Sequence, residues 1–134
     1  MMTREEILRE VEQTLGFIPE WVKSVPDELL TYEWGLFKDF EIADTRIPLK
    51  YKQLIGLGVA AALGCRYSSF FHIEVAKLHG ATEEELKEAL YIAKHTSGWS
   101  AYLNGMQYDY DLFKGEMERS ATYLREEMRR RKAA

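Results

Sequence analysis

The sequence predicts an all-α protein, an irregular bundle of about six to seven helices. Two capping boxes mark helix starts, one in each half of the chain: Thr3 with Glu6, and Thr82 with Glu85. In each box the threonine hydroxyl accepts from a main-chain N–H three residues on, and the glutamate accepts from the threonine N–H. Apolar residues between Ile7 and Leu15 recur at the three- and four-residue spacing of one helical face. No two-residue alternation typical of β-strands occurs.

Glycine and proline divide the first half of the chain. Gly16 ends the first predicted helix, and a short turn or helix is expected over residues 20–25. A second long helix, rich in aromatic residues, is expected over residues 26–43. The next, over residues 48–63, is apolar almost all round after Gln53, which predicts the central buried helix.

Three further helical segments are expected in the second half. A helix over residues 65–79 is closed by Gly80 as its C-terminal cap, and a helix over residues 82–96 is expected to break at Ser97 and Gly98. The last segment carries a seam of large apolar residues at alternating four- and three-residue steps: Trp99, Leu103, Met106, Tyr110, Phe113 and Met117. Such a seam packs against other helices or another subunit.

Composition narrows the class of protein. A chain of 134 residues fits a single domain over residues 1–134. The net charge of −4 gives no electrostatic attraction for nucleic acid, and the short basic cluster at residues 129–132 is typical of a solvated helix end. The longest apolar run, residues 54–64, is far shorter than the ~20 residues of a membrane-spanning helix. The charged start lacks a signal peptide, so we expect a cytoplasmic protein without membrane or nucleic-acid partners.

One stretch, residues 64–72, has a residue choice that suggests chemistry. On a helix, Cys65, Ser68 and His72 lie along one stripe, and Cys65 is expected in the first turn, where free N–H groups favour a thiolate. His72 would then move protons and Ser68 would relay them. The alternatives are a cysteine packed as a small hydrophobe and a histidine with a structural hydrogen bond. One cysteine and one histidine leave a zinc shell half empty, so no metal site is expected.

Residues 46–90 resemble the core of the carboxymuconolactone decarboxylase and alkylhydroperoxidase D superfamily. The features that carry this resemblance are a proline-led helix ending in small residues, a helix close to the pattern C-x-x-C-x-x-x-H, and a Gly-Ala-Thr turn before an acidic helix. The resemblance extends over most of residues 15–105 and leaves residues 116–134 as a charged helical tail. It implies the irregular helical bundle of that superfamily.

The resemblance also implies a site. In the hydroperoxidase branch a glutamate stands twelve residues before the first cysteine of C-x-x-C, and a histidine follows. Carried over, Cys65 matches the first cysteine and His72 the histidine, whereas Ser68 replaces the second cysteine and Gln53 the glutamate. Serine cannot form the disulfide and glutamine cannot take a proton. A self-contained dithiol cycle is therefore excluded.

Three functions follow from the resemblance. The first is reduction of a hydroperoxide by Cys65 alone, with the sulfenic acid restored by an external thiol. The second is a decarboxylase-like or lactone-type enzyme acting on a small carbonyl or lactone compound, with His72 as acid and base and with Gln53 and Ser68 as hydrogen-bonding groups. The third is a catalytically relict binding protein. Each is expected as a homo-oligomer, a trimer or hexamer, without a cofactor.

Overall fold

The computed structural model describes all 134 residues, and every regular element in it is helical. The elements, in chain order, are α1 Arg4–Leu15, α2 Glu20–Lys23, α3 Asp27–Leu36, a π-helical turn Phe37–Glu41, α4 Leu49–Leu63, α5 Arg66–Leu78, α6 Glu83–Gly105 and α7 Tyr110–Ala133. Seven α-helices and no strand confirm the predicted fold class. No helix is both long enough and apolar enough to cross a membrane.

The predicted caps hold the helix ends. The main-chain N–H of Thr3 donates to Glu6 at 2.7 Å, and that of Glu6 donates back to the threonine hydroxyl at 3.3 Å. The second box forms likewise, with both bonds between Thr82 and Glu85 at 3.1 Å. Gly64 follows α4 with φ of 67°, the left-handed conformation that glycine adopts without steric cost.

The chain forms two compact units, Met1–Ala93 and Lys94–Ala134, and the boundary between them falls within α6. The first unit contains two apolar clusters. One is built from α1, α2 and α3 around Ile7, Val11, Val22, Leu30 and Trp34. The other joins α4, α5 and α6 through Leu57, Ala76 and Leu86. The prediction of one domain over residues 1–134 stays a prediction.

The expectation that α4 is buried all round is wrong within this chain. Its core face is formed by Leu49, Gln53, Leu57 and Ala60. A second stripe at four-residue spacing is more than half exposed and consists of Tyr51, Ile55, Val59 and Leu63. The apolar composition of α4 therefore serves two faces, and only one of them is covered by the chain itself.

Two helix boundaries also differ from the prediction. The helix expected over residues 26–43 is formed by α3 together with the π-helical turn that follows it, and it ends at Glu41. The break expected at Ser97 and Gly98 does not occur, because α6 continues to Gly105. An isolated glycine costs a helix only about 1 kcal/mol relative to alanine, so flanking helix formers carry the helix through it.

The second unit, Lys94–Ala134, contains no buried residue. Its polypeptide turns between α6 and α7, where the Asp109 carboxylate accepts from the N–H of Leu112 at 2.7 Å and starts α7. The predicted apolar seam is thus divided between two helices. Most of its large side chains remain exposed.

Candidate functional site

Cys65 begins α5 as its N-cap residue and not, as expected, within the first turn. The N–H group of Ser68 donates to the Cys65 sulfur at 3.5 Å, and the Ser68 hydroxyl lies 3.6 Å from the same sulfur. Oxygen side chains usually accept from such N-terminal N–H groups. Here sulfur takes that place, in the partial positive field of the helix start.

The same contacts favour the ionised thiol. The Ser68 N–H, followed by the Ser68 hydroxyl, lowers the pKa of Cys65 below its ordinary value. Burial opposes them to a smaller extent, and the Tyr67 N–H lowers the pKa by a still smaller amount. Cys65 is partly exposed and is the only cysteine of the chain. A thiolate of this kind is the nucleophilic form of cysteine.

Gln53 and His72 form a second pair across α4 and α5. The His72 Nδ1 atom lies 2.8 Å from the Gln53 side-chain oxygen, and the Gln53 amide nitrogen donates to the main-chain carbonyl of Glu41 at 2.9 Å. Gln53 has no solvent-exposed surface, and it is the buried polar residue of the core. Both polar atoms of its amide have a hydrogen-bond partner, as buried polar groups in folded proteins almost always do.

Gly56 makes room for the His72 ring. A Cβ atom at this position would lie 2.4 to 2.7 Å from three atoms of the imidazole. Real Cβ atoms do not approach that closely, so α4 accepts the ring only because residue 56 has no side chain. The sequence gives no signal for this role, because an apolar helix rich in small residues is equally typical of plain helix packing.

Burial favours the neutral form of the His72 imidazole. Burial lowers its pKa below the ordinary value of histidine, and the Glu41 carboxylate opposes that change to a smaller extent. Phe71 flanks the ring with a centroid separation of 5.1 Å. A neutral imidazole has one nitrogen that donates and one that accepts, so it is suited to accept a proton.

A cleft of about 1230 Å³ opens beside the site. Its aromatic wall comes from α2, α3, the π-helical turn and α5, and consists of Trp21, Trp34, Phe37, Tyr67, Phe70 and Phe71. Ser68 and His72 are polar members of the lining, whereas Cys65 does not line the cleft. The contribution of α2 and α3 could not be inferred from the spacing of residues 64–72.

The four predicted site residues therefore form two pairs. Cys65 contacts Ser68, and Gln53 contacts His72, while no hydrogen bond joins one pair to the other. Ser68 is the link in space, because it touches the sulfur and lines the cleft together with His72. No group of three or more histidine, cysteine, aspartate or glutamate side chains is arranged to hold a metal ion.

Comparison with known proteins agrees with this architecture. A structure of the alkylhydroperoxidase AhpD core from Rhodospirillum rubrum superposes with a TM-score of 0.63 at 20% identity, covering 78% of this chain and 80% of that one. A protein of Paracoccus denitrificans, described as uncharacterized protein 4 in cox locus, is 33% identical over 60 residues. These are 45% of this chain, which spans about half (54%) of that relative's length. The model of the carboxymuconolactone decarboxylase family matches residues 25–109, so the chain belongs to that family.

Proposed function

We propose that the protein reduces hydroperoxides through Cys65 alone, with an external thiol as the reductant. The observation that carries this proposal is the Cys65 sulfur at the start of α5, where the Ser68 N–H group favours its thiolate form. The AhpD core of Rhodospirillum rubrum, whose fold this chain shares, is described as an alkylhydroperoxidase. The surroundings of the thiol support the same class of reaction here.

The proposed cycle balances in three steps. The Cys65 thiolate attacks one peroxide oxygen, the O–O bond breaks, and the alkoxide leaves and takes a proton to become an alcohol. The resulting sulfenic acid condenses with one external thiol, forming a mixed disulfide and releasing water. A second thiol attacks that disulfide, which restores Cys65 and releases the oxidised reductant. The chain has no second cysteine, so both reducing equivalents come from outside.

Ser68 and His72 would handle the protons of this cycle. The Ser68 hydroxyl lies at the sulfur and at the edge of the cleft, so it can pass the thiol proton to a solvent molecule there. His72, whose neutral form is favoured by burial and which lines the same cleft, can accept that proton and return it to the leaving alkoxide. The aromatic wall would hold the organic part of the substrate.

The direct test is the oxidation state of Cys65. A brief, equimolar treatment with an organic hydroperoxide should add one oxygen atom to the intact protein, and a subsequent excess of small thiol should remove it. Mass spectrometry of the whole chain and of the peptide containing residues 64–72 measures both steps. No added oxygen, or an adduct that thiol does not reverse, would contradict the proposed cycle.

A second function is favoured by one observation, the fixed orientation of His72. Its Nδ1 atom is bound to Gln53, so the other ring nitrogen is available to a substrate in the cleft. Such an arrangement suits acid–base catalysis on a small carbonyl or lactone compound, the decarboxylase-like reaction. That reaction needs His72 and does not need the Cys65 thiol.

We further propose that the chain acts in the cytoplasm, where thiols stay reduced, and that it assembles as a homotrimer or homohexamer. The partner is a second copy, because the exposed stripe of α4 is a regular apolar face that soluble proteins cover by association.

Sedimentation equilibrium at micromolar concentration should give a trimer or hexamer mass. Ile55→Glu with Val59→Glu should shift it toward monomer, and the exposed control Glu12→Lys should not. A monomeric wild-type chain would refute this expectation.

A further inference from the structure

The π-helical turn Phe37–Glu41 is held by two consecutive side chains of α4. The turn closes with the N–H of Ile42 on the carbonyl of Phe37 at 3.0 Å, a bond over five residues. The Lys52 ammonium donates to the Phe40 carbonyl at 2.6 Å, and the Gln53 amide donates to the Glu41 carbonyl. Single π-helical turns occur frequently at functional sites. This one directs a main-chain carbonyl at the residue that contacts His72.

The Glu41 carbonyl fixes the orientation of the Gln53 amide. A main-chain carbonyl only accepts hydrogen bonds, so the nitrogen of the amide must face it, and the oxygen must face His72. That oxygen also only accepts, so the Nδ1 atom of His72 must carry the proton. In the neutral ring the proton is therefore absent from Nε2, which keeps its lone pair.

We propose that Gln53, oriented by the Glu41 main-chain carbonyl, is a positioning residue that holds His72 in the Nδ1–H tautomer and reserves Nε2 as the proton acceptor of the site. The catalytic use of that acceptor rests on the proposed function. The tautomer itself rests only on the hydrogen bonds between residues 41, 53 and 72. Gly56 contributes to the same arrangement, because it leaves the space that the His72 ring occupies.

The chemistry of position 53 explains why an amide is suited to it. A glutamate carboxylate has no donor for the Glu41 carbonyl, so two acceptors would face one another at a site without solvent. Its charge would also stabilise the imidazolium form of His72. Three other charged groups lie near the ring. The Glu41 carboxylate opposes the lowering of the His72 pKa by burial, and Glu33 and Arg66 line the same cleft. Glutamine supplies one donor and one acceptor without adding a charge.

Nitrogen-15 NMR of the histidine rings tests this inference on the intact protein. The chain has three histidines, and the His72 signals are assigned by their loss in His72→Gln. At neutral pH the wild-type ring should show a protonated Nδ1 and an unprotonated Nε2. Gln53→Met, which removes both polar atoms, should give a mixture of the two tautomers. In Gln53→Glu the His72 ring should stay in the doubly protonated imidazolium form up to a pH about one to three units higher than in the wild-type protein. The exposed Gln13→Met is the matched control and should change neither property.

An unprotonated Nδ1 in the wild-type protein would overturn the inference, and so would a folded Gln53→Met variant with the wild-type tautomer. Where Gln53→Met does not fold, as judged by circular dichroism, the wild-type spectrum and Gln53→Glu decide the question. A His72 ring that titrates at the same pH in Gln53→Glu as in the wild-type protein would also contradict the inference. None of these measurements requires turnover, so the expected tautomer without hydroperoxide reduction would remove the proposed function and leave the positioning role intact.

Discussion

Replacing Cys65 by serine should lower the rate of hydroperoxide reduction to that of the external thiol alone, a loss of at least about a hundredfold. The reason is that Cys65 is the only thiol of the chain, and a serine hydroxyl is not ionised near neutral pH. The variant should fold normally, since serine is a good N-cap and can accept from the same Ser68 N–H. A coupled assay of organic hydroperoxide consumption measures the change.

The matched control for Cys65→Ser is Ser69→Ala, a substitution in the same first turn. The Ser69 N–H donates to the Cys65 carbonyl through the main chain, which alanine retains, so activity should be unchanged. A Cys65→Ser variant that keeps the wild-type rate would refute the thiol cycle. Conversion of a small lactone that survives Cys65→Ala and disappears in His72→Ala would favour the acid–base function instead.

Replacing Gly56 by alanine should impair both catalysis and stability, because it displaces the His72 ring. The new methyl group would meet the His72 ring at 2.4 to 2.7 Å, so the ring must move and its bond to Gln53 is lost. Overpacking costs about 1–3 kcal/mol, whereas removing a helix-interior glycine contributes about 1 kcal/mol in the other direction. Loss of the bond also leaves the buried Gln53 amide oxygen without a partner, which costs about 1–3 kcal/mol more. The free energy of unfolding should therefore fall by about 1–5 kcal/mol, measured by urea denaturation.

Gly58→Ala is the control within the same helix. Its Cβ would meet its nearest neighbours, the Ala89 carbonyl and the Ala93 methyl group, at 3.9 and 4.0 Å, an ordinary contact distance. This variant should gain up to about 1 kcal/mol of stability and keep the wild-type activity and His72 spectrum. Equal losses of activity in the two variants would show that Gly56 has no specific relation to His72.

The helices and their caps were largely predictable, because capping boxes and left-handed glycines act through residues close in sequence. Thr3 and Thr82 form the expected boxes, and Gly64 ends α4. The predicted break at Ser97 and Gly98 was wrong, because the cost of one glycine is smaller than the helix-forming tendency of the residues around it. The burial of α4 was wrong for another reason, since an apolar composition does not reveal which face the same chain covers.

The site was predictable in part. Helical spacing brings Cys65 and Ser68 together, and their contact is local. The pairing of Gln53 with His72 joins two helices, and only the resemblance to a known family suggested that these residues belong to one site. The Glu41 carbonyl had no signal at all, because any residue type supplies a main-chain carbonyl and a π-helical turn has no simple side-chain pattern.

Because a sulfur atom serves as the cap of α5, the stability of that helix start is linked to the oxidation state of the sulfur. A thiolate accepts from the Ser68 N–H, whereas a sulfur in a mixed disulfide is uncharged and a weaker acceptor. An N-cap bond contributes about 1 kcal/mol, so its loss would loosen the turn that carries Arg66, Tyr67 and Ser68 into the cleft. In the proposed cycle, this part of the cleft wall would be most rigid while Cys65 is a thiolate. It would be least rigid while Cys65 is in the mixed disulfide, the state that the second thiol must attack.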